Sequence, residues 1–523
     1  MTRPGLRPFG RAWVAVPTGA ESADFDRYAS QELGVPQTTL MENAGRGAAQ
    51  VLQRLFPEGE VVGVVGPGNN GGDALVLLRS LAEWGRPVRA IVVADRPEPE
   101  AVLHGWSLER LLDREMGEEG WGRLSRAAVV VDGILGTGVR GEPRERQGAA
   151  ISRVNACGRP VIALDVPSGV SADDGSVPGD AVRADVTVAF GWPKLGTLLH
   201  PARERVGRLV AIDVGFPPLD EGRFSARLVT PGWAAVMRPS RHPDTHKKAV
   251  GVVLVVAGRP GMAGAAVLAA RGALRAGAGL VRVASSPENR VVLQTAVPAA
   301  IFVDAGDGEA LAAAIEDATA VAAGPGLGTE RDAETLLARV LDEGEAPLLL
   351  DADALNLVSE GRLPALALVA SARPLLVTPH PGEMARISAF SRERLAAGRV
   401  SAAREWAEET GCTLLLKGSP SLVASPGRPV LIDAMGSSDL ATAGMGDVLS
   451  GVAGSFLAQG LPPRTSAALA LHVSGRAARL ADRGHGLLPE DVAERLPRAL
   501  QESGPGETDL PFPFVLFDQD PVR

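Results

Sequence analysis

The sequence predicts an α/β protein of two domains, each a mainly parallel sheet with helices on both faces. Three observations carry this expectation. The chain has 523 residues, enough for two or three domains. Short apolar runs alternate with longer helical stretches through both halves, the pattern of repeated β-α units. The glycine- and aspartate-rich segments fall straight after the apolar runs, at carboxyl ends of strands, where open parallel sheets bind ligands.

The first domain is expected over 13–222, after a disordered leader through residue 12. Two helices fill 17–56, and the small residues of Leu40-Met41-Glu42-Asn43-Ala44-Gly45-Arg46 suit close packing. A buried strand over 61–65 runs into Gly66-Pro67-Gly68-Asn69-Asn70-Gly71-Gly72-Asp73, read as a glycine loop, followed by a helix to about Trp84. A strand over 88–94, a helix near 100–116 and a strand over 127–131 follow, the last ending in Asp132-Gly133-Ile134-Leu135-Gly136-Thr137-Gly138. A helix over 147–157 leads to a strand over 161–164 ending in Asp165-Val166-Pro167-Ser168-Gly169, then strands over 184–190 and 208–214. The proline-rich stretch 216–223 loses periodicity and reads as a linker.

The second domain is expected over 223–501. Its strands begin at 251–257 and recur at 280–283, 299–303, 321–323, 348–350, 375–377 and 412–416. An Ala-rich helix covers 263–276, and a hairpin joins 421–424 to 429–432 through Ser425-Pro426-Gly427-Arg428. Three helices close the domain, the last over 489–500, and the tail 502–523 carries no functional signal.

Composition narrows the function. The formal charge of −9, from 53 basic and 62 acidic residues, disfavours nucleic-acid or anionic-membrane binding. No apolar run is long enough to span a bilayer, and 1–11 lacks a signal-peptide core. Cys157 and Cys412 form no metal or disulfide pattern, so the expected compartment is the cytoplasm. Arginine dominates the basic residues, and lysine stands only at Lys194, Lys247, Lys248 and Lys417. Lys194 and Lys417 fall inside motifs, where a compact ammonium differs in kind from a guanidinium.

The strongest chemical signal is Leu440-Ala441-Thr442-Ala443-Gly444-Met445-Gly446-Asp447, a glycine turn opening into an apolar helix. A helix N-terminus favours anions, and Gly444 and Gly446 let a phosphate approach its amides. A carboxylate there suits a base that deprotonates a hydroxyl attacking phosphorus. Taken alone, the pattern equally fits an acidic N-cap. Asn69-Asn70-Gly71-Gly72 taken alone fits a tight turn, and Asp165 a strand-end Asx turn. The 66–73 segment matches neither a G-x-G-x-x-G fingerprint nor a P-loop.

Five upstream segments accompany the Asp447 stretch. They are Ala257 to Ala265, Gly324-Pro325-Gly326-Leu327-Gly328, Leu350-Asp351-Ala352-Asp353-Ala354-Leu355-Asn356, Thr378-Pro379-His380-Pro381-Gly382-Glu383 and Lys417-Gly418-Ser419-Pro420-Ser421. In this order the second half resembles the ribokinase-like domain of ADP/ATP-dependent NAD(P)H-hydrate dehydratases. By that resemblance Ala257, Gly326, His380 and Asp447 contact the hydrated nicotinamide nucleotide. Lys417, Gly418, Ser419, Pro420 and Ser421, with Gly444 and Gly446, hold ADP or ATP, assisted by Mg²⁺. The family carries Gly-Asn-Pro-Gly-Met where this chain has Gly436-Ser437-Ser438-Asp439-Leu440, so the nucleotide pocket is expected to differ there.

The first half resembles the Rossmann-like NAD(P)H-hydrate epimerase domain. The matching segments are 40–45, 68–73, 132–138, 165–169 and Phe190-Gly191-Trp192-Pro193-Lys194. The resemblance implies K⁺ ligands at Asn70, Asp132 and Ser168, and amide, carboxylate and hydroxyl oxygens suit a hard cation. It also implies substrate contacts at Asn69, Asn70, Gly71, Gly72, Asp73, Gly136, Thr137, Gly138, Val139, Arg140, Gly141, Glu142 and Asp165, with Asp165 as acid/base. Ala74 stands where the family has Gly and is expected to narrow the pocket slightly.

Together the resemblances imply a bifunctional, homo-oligomeric enzyme that epimerises R and S hydrates of NADH and NADPH and dehydrates the S hydrate with ADP or ATP. Two alternatives stand beside this. One is a kinase of the hydroxymethylpyrimidine or hydroxyethylthiazole type carrying a non-catalytic N-terminal binding domain. The other is a scaffolding first half, which has no reason to keep Asn70, Asp132, Asp165 and Ser168.

Overall fold

In the first unit the chain builds its sheet outward from one central strand. The computed structural model describes residues 14–96, 101–138, 140–217, 222–501 and 514–517, and the chain divides into two units at Arg227/Leu228. The expected leader and Val139 lie outside the described residues, as do parts of the linker and tail.

Helices α1 (Gly19–Gln31) and α2 (Gln37–Leu55) precede β1 (Val61–Val65), α3 (Asn69–Glu83) and β2 (Val88–Val92). There follow β3 (Arg110–Leu112), β4 (Val129–Gly133), α4 (Glu145–Ala156), β5 (Val161–Leu164), β6 (Val186–Phe190) and β7 (Arg208–Ile212). These strands run parallel in the order β3-β2-β1-β4-β5-β6-β7. The chain therefore works outward from β1 on one side, then returns to its other side, the strand order of a Rossmann-like sheet. Along β1, Val61 and Val65 enter one core with Leu40, Leu52 and Leu75. Val62 and Val64 enter another with Ile151 and Val154. Period-two alternation thus buries both faces and makes three layers.

Two expectations fail here. The segment predicted to be a helix near 100–116 is instead a short 3-10 turn at Ala101–Leu103 and the strand β3. Gly105, at φ 83°, breaks the helical run, and the open edge of β2 offers Arg110–Leu112 a ladder of backbone partners. The Asn69-Asn70-Gly71-Gly72-Asp73 stretch, predicted to be a loop, is the opening of α3, with Gly71 and Gly72 donating to the Gly68 carbonyl.

In the second unit β8 (Val252–Val256) and α5 (Ala263–Arg275) lead to β9 (Leu280–Ser285), β10 (Ile301–Asp304), β11 (Ala320–Ala323), β12 (Leu348–Leu350) and β13 (Leu375–Val377). Next come α6 (Pro381–Ile387), β14 (Thr413–Leu416), β15 (Ser421–Ala424) and β16 (Val430–Asp433). The helices α7 (Met445–Ala458), α8 (Pro463–Ala481) and α9 (Pro489–Gln501) close the unit. Pairing runs β16-β15-β14-β13-β12-β11-β8-β9-β10, parallel except at the expected hairpin end, where β15 is antiparallel to β14 and β16. The described part of the tail, β17 (Phe514–Phe517), adds antiparallel to β7. No described helix is long and apolar enough to cross a membrane.

Helix α7, which begins beside Asp447, is seated by reciprocal glycine contacts with α5. A Cβ on Gly451 would lie 1.9 Å from the Ala269 carbonyl oxygen, and one on Gly272 would lie 2.4 Å from that of Val448. These are backbone atoms, so neither helix can yield by rotating a side chain. Gly451→Ala is therefore expected to cost about 1–3 kcal/mol through overpacking. Chemical denaturation checks this, and an unchanged midpoint for the second unit's transition contradicts it.

Candidate functional site

Both sheets reverse direction beside their first strand, and many of the predicted residues that are described lie past carboxyl ends of strands on the same side of their sheet. In the first unit the crevice opens between the carboxyl ends of β1 and β4. The backbone is so tight there that a Cβ on Gly66 would sit 1.7 Å from the Ile134 carbonyl oxygen. Asp132, near the end of β4, is fully buried. Its Oδ1 accepts from the Ser168 hydroxyl (2.6 Å) and the Ile134 amide (3.2 Å), while Oδ2 accepts from the Ser168 amide (2.8 Å). Burial pushes its carboxyl up to about 6, against the lowering effect of those hydrogen bonds. Asn70 donates its Nδ2 to the Leu135 carbonyl at 2.7 Å, and its buried Oδ1 has no protein partner. An orphaned amide oxygen beside a buried carboxylate and hydroxyl is a donor set that fits a hard cation.

Asp165 follows β5 in the left-handed region, at φ 62°. Its Oδ1 accepts from the Lys194 ammonium at 2.5 Å and from the Phe190 amide at 3.2 Å. Lys194 is almost fully buried and spends its other two donors on the carbonyls of Phe190 (2.8 Å) and Trp192 (3.2 Å). An ammonium with all three protons placed is a fixed charge rather than a mobile one. Asp73 is buried nearby, and desolvation, with the charges of Asp165 and Asp26, raises its carboxyl well above the usual range.

A cavity of about 640 Å³, within the range of nucleotide-sized sites, is lined by Asn69, Asn70, Asp73, Gly136, Thr137, Gly138, Asp165 and Lys194. Gly71 and Gly72 lie buried behind the lining, and Arg140, Gly141 and Glu142 are exposed and outside it. The Ala74 methyl is fully buried, close to Gly133 and away from the lining, so it does not narrow the cavity. Helix α1 contributes Asp26, which belongs to none of the motifs read from the sequence.

In the second unit the reversal lies between β8 and β11. Ala257 is fully buried just beyond β8, and Gly326 beyond β11 accepts from the Arg259 amide at 2.7 Å, tying the two loops together. Lys417, at the end of β14, reaches Asp351, at the end of β12, with Nζ–Oδ1 at 2.8 Å. Ser450 of α7 donates to the other oxygen of Asp351 at 2.6 Å, and Glu383 approaches Lys417 at 3.8 Å. Burial pulls the Lys417 ammonium down, but the charges of Asp351 and Glu383 outweigh it and hold it above its usual range.

Gly444, at φ 89°, caps α7, and Gly446 turns its open face to Lys417, whose Nζ is 3.6 Å from where a Cβ would be. Asp447 is half-buried in the first turn. Desolvation first, then repulsion from Asp351, pushes its carboxyl up to about 7 against the pull of Lys417. His380 is an exposed N-cap of α6. Its Nδ1 accepts from the Gly382 (3.0 Å) and Glu383 (3.3 Å) amides, which leaves Nε2 to carry the proton. Gly418, Ser419, Pro420 and Ser421 form a loop that closes on itself, Ser421 donating to the Gly418 carbonyl at 3.0 Å. Arg399, which motif reading missed, holds that loop from below through the carbonyls of Lys417 and Ser419, each at 3.2 Å. The divergent 436–440 stretch makes a short turn whose Asp439 pairs with His485 at 3.2 Å.

Among the described residues no group of three His, Cys, Asp or Glu side chains is placed to hold a metal. A glycine turn with one or two carboxylates near it would suit Mg²⁺ that arrives on a nucleotide, since that ion keeps waters and phosphate oxygens as ligands.

Residues 253–498 match the family model of NAD(P)H-hydrate dehydratase, and residues 37–196 match that of the YjeF-related protein N-terminus. The chain is 37% identical to the bifunctional NAD(P)H-hydrate repair enzyme Nnr of Salinibacter ruber, over 91% of this chain and 94% of that one. The enzyme of the same name from Moorella thermoacetica is 36% identical over 92% and 96% of the two chains. That from Escherichia coli is 35% identical over 90% and 91%. With both halves matched in single relatives across nearly their whole length, this chain belongs to the bifunctional NAD(P)H-hydrate repair enzyme family.

Proposed function

We propose that the chain repairs hydrated NADH and NADPH at two sites, the first unit interconverting R and S hydrates and the second dehydrating the S hydrate with ADP or ATP. The observation that carries the reading is that each unit holds a lysine-paired carboxylate past its strand ends, Asp165 on Lys194 and Asp351 on Lys417 with Asp447 near them. The kinase reading shares the second site but gives the first no work to do.

Hydration puts a hydroxyl on the reduced nicotinamide ring, and hydroxide leaves poorly. Phosphorylation converts it into a good leaving group that the ring nitrogen can expel. In the proposed cycle Asp447 takes the hydroxyl proton as the oxygen attacks the terminal phosphoryl group. The first-turn amides around Gly444 and Gly446 stabilise the charge that develops, and Lys417 with the 418–421 loop holds the nucleotide phosphates. Mg²⁺, when carried in on the nucleotide, neutralises phosphate charge. His380, Ala257 and Gly326 position the hydrated ring. In the first unit Asp165 acts as acid/base over substrate lodged against Asn69, Asn70, Asp73 and Gly136 to Gly138. Asn70, Asp132 and Ser168 would hold K⁺, which supplies positive charge next to that site. The cytoplasm belongs to the same proposal, and Cys157 and Cys412 are both free thiols.

A base must be ionised to work, so dehydration of the S hydrate is expected to rise with pH through about 7 and level off above it. Asp447→Asn is expected to lose about 10²–10⁴-fold in rate. A pH–rate profile of the two proteins checks both statements, and a variant with wild-type turnover removes Asp447 as the base.

Asp132 gives a test of the cation. Its folded-state value near 6 lies above that of an unfolded Asp, so its contribution favours the fold in acid and is lost as pH rises through about 6. Above that point the fold holds a buried carboxylate that K⁺ would offset. Potassium chloride, against tetramethylammonium chloride at equal ionic strength, should raise the Tm more at pH 8 than at pH 5. Equal melting in both salts at both values contradicts the site.

A further inference from the structure

The cavity of the first unit holds one more acid than the proposed epimerisation has used. Ser22, Ala23, Asp26, Arg27 and Ser30 line it, so one face of α1 forms a wall opposite the strand ends. The other face is fixed by Phe25, whose ring packs edge-on against Trp192 (5.2 Å), Phe216 (5.3 Å) and Phe224 (5.9 Å). Trp192 is also the residue whose carbonyl receives the Lys194 ammonium. Asp26 is therefore set on a rigid element tied to the same loop that fixes the Asp165–Lys194 pair.

Charge decides how three carboxylates share this space. The buried Lys194 gives its proton donors to Asp165, Phe190 and Trp192 and has none left for Asp26 or Asp73. Arg27 points from the same helix as Asp26 but pairs with Asp24. Asp165 is thus the carboxylate in contact with the ammonium, while Asp26 and Asp73 face the cavity and its wall without that contact. Asp73 is buried, whereas Asp26 is open to the cavity. The carboxyl of Asp26 is pushed up to about 6, chiefly by desolvation, with Lys194 pulling down and Asp165 pushing up. Asn70, with its unpartnered Oδ1, lines the same cavity, so the space is built for a polar ligand.

We propose that Asp26 is a second catalytic residue of the first unit, the acid that protonates the departing hydroxyl while Asp165 acts as the base. This rests on reading that unit as an epimerase. The Asp26 carboxyl gives its proton to the ring hydroxyl. The carbon–oxygen bond breaks as the ring-nitrogen lone pair forms a carbon–nitrogen double bond, and water leaves. Water then adds from the opposite face, the pair returns to nitrogen, and Asp165 takes the water's proton. One proton has moved between the two carboxyls, nothing is oxidised or reduced, and solvent in the open cavity resets the protons. The reverse reaction exchanges the two roles.

The test uses the full-length protein and separated R hydrate, in K⁺, with and without Asp26→Asn or Asp26→Glu. Asp26→Asn is expected to lose about 10²–10⁴-fold in epimerisation kcat with hydrate binding retained. It should also lose the fall in wild-type rate as pH rises through about 6, set by Asp26 among Asp73, Asp165, Lys194 and Arg27. Asp26→Glu should restore part of the rate, and inversion in ¹⁸O-water should place solvent oxygen in the product. An Asp26→Asn enzyme with unchanged kcat and pH profile, or inversion with the original oxygen retained, overturns the proposal. Wild-type protein that leaves R hydrate at its spontaneous rate overturns the epimerase reading itself, which separates that failure from a failure of Asp26.

Discussion

An ammonium drawn out of water must be met by acceptors, and each unit of this chain holds one, fully buried at Lys194 and partly buried at Lys417. Lys194 is pinned by Asp165 and two carbonyls, and Lys417 by Asp351 with Glu383 behind it. In both cases the lysine and its paired aspartate lie past the ends of different strands, so the ion pair closes only when the sheet has its native order. The remaining carboxylates then divide by their distance from that fixed charge. Asp26 and Asp447, which desolvation affects more than the pull of the lysine, have their carboxyls pushed up. Titrating groups near pH 6–7 are what proton transfer at a hydroxyl needs.

The use of lysine made much of this legible in advance. In a chain rich in arginine, Lys194 and Lys417 stood inside motifs, and each forms an ion pair with a motif aspartate, Asp165 and Asp351. The strands were legible for a similar reason, since a buried parallel strand has few ways to be written. Val61–Val65, Leu348–Leu350 and Leu375–Val377 fall where the apolar runs put them. Asp447 was legible because a glycine cap leaves a helix start little freedom.

What escaped the sequence depends on tertiary packing. Arg399 lies 18 residues before the loop it supports, and Ser450 reaches Asp351 only because α7 seats on α5. Asp26 has no motif of its own and becomes conspicuous only when α1 walls the cavity. The segment near 100–116 has helix-compatible composition, but the free edge of β2 outbids it with a ladder. Asn69–Asp73 was read as a turn from its glycines, whereas those glycines allow α3 to start hard against Gly66 and Met41. Local propensity is a weak prior once a sheet edge or a close approach is available.

One chain with an epimerase and a stereospecific dehydratase can return both hydrates to use, whereas either activity alone leaves one behind or merely exchanges them. The most direct measurement supplies wild-type protein with a mixture of R and S hydrates, K⁺, Mg²⁺ and either ADP or ATP. Recovery of the reduced-nicotinamide absorbance is followed against spontaneous interconversion of the hydrates. The account predicts complete recovery in a single fast course with at least one of the nucleotides. Recovery that stalls at the S fraction and then creeps at the spontaneous rate, or no recovery with either nucleotide, would contradict it.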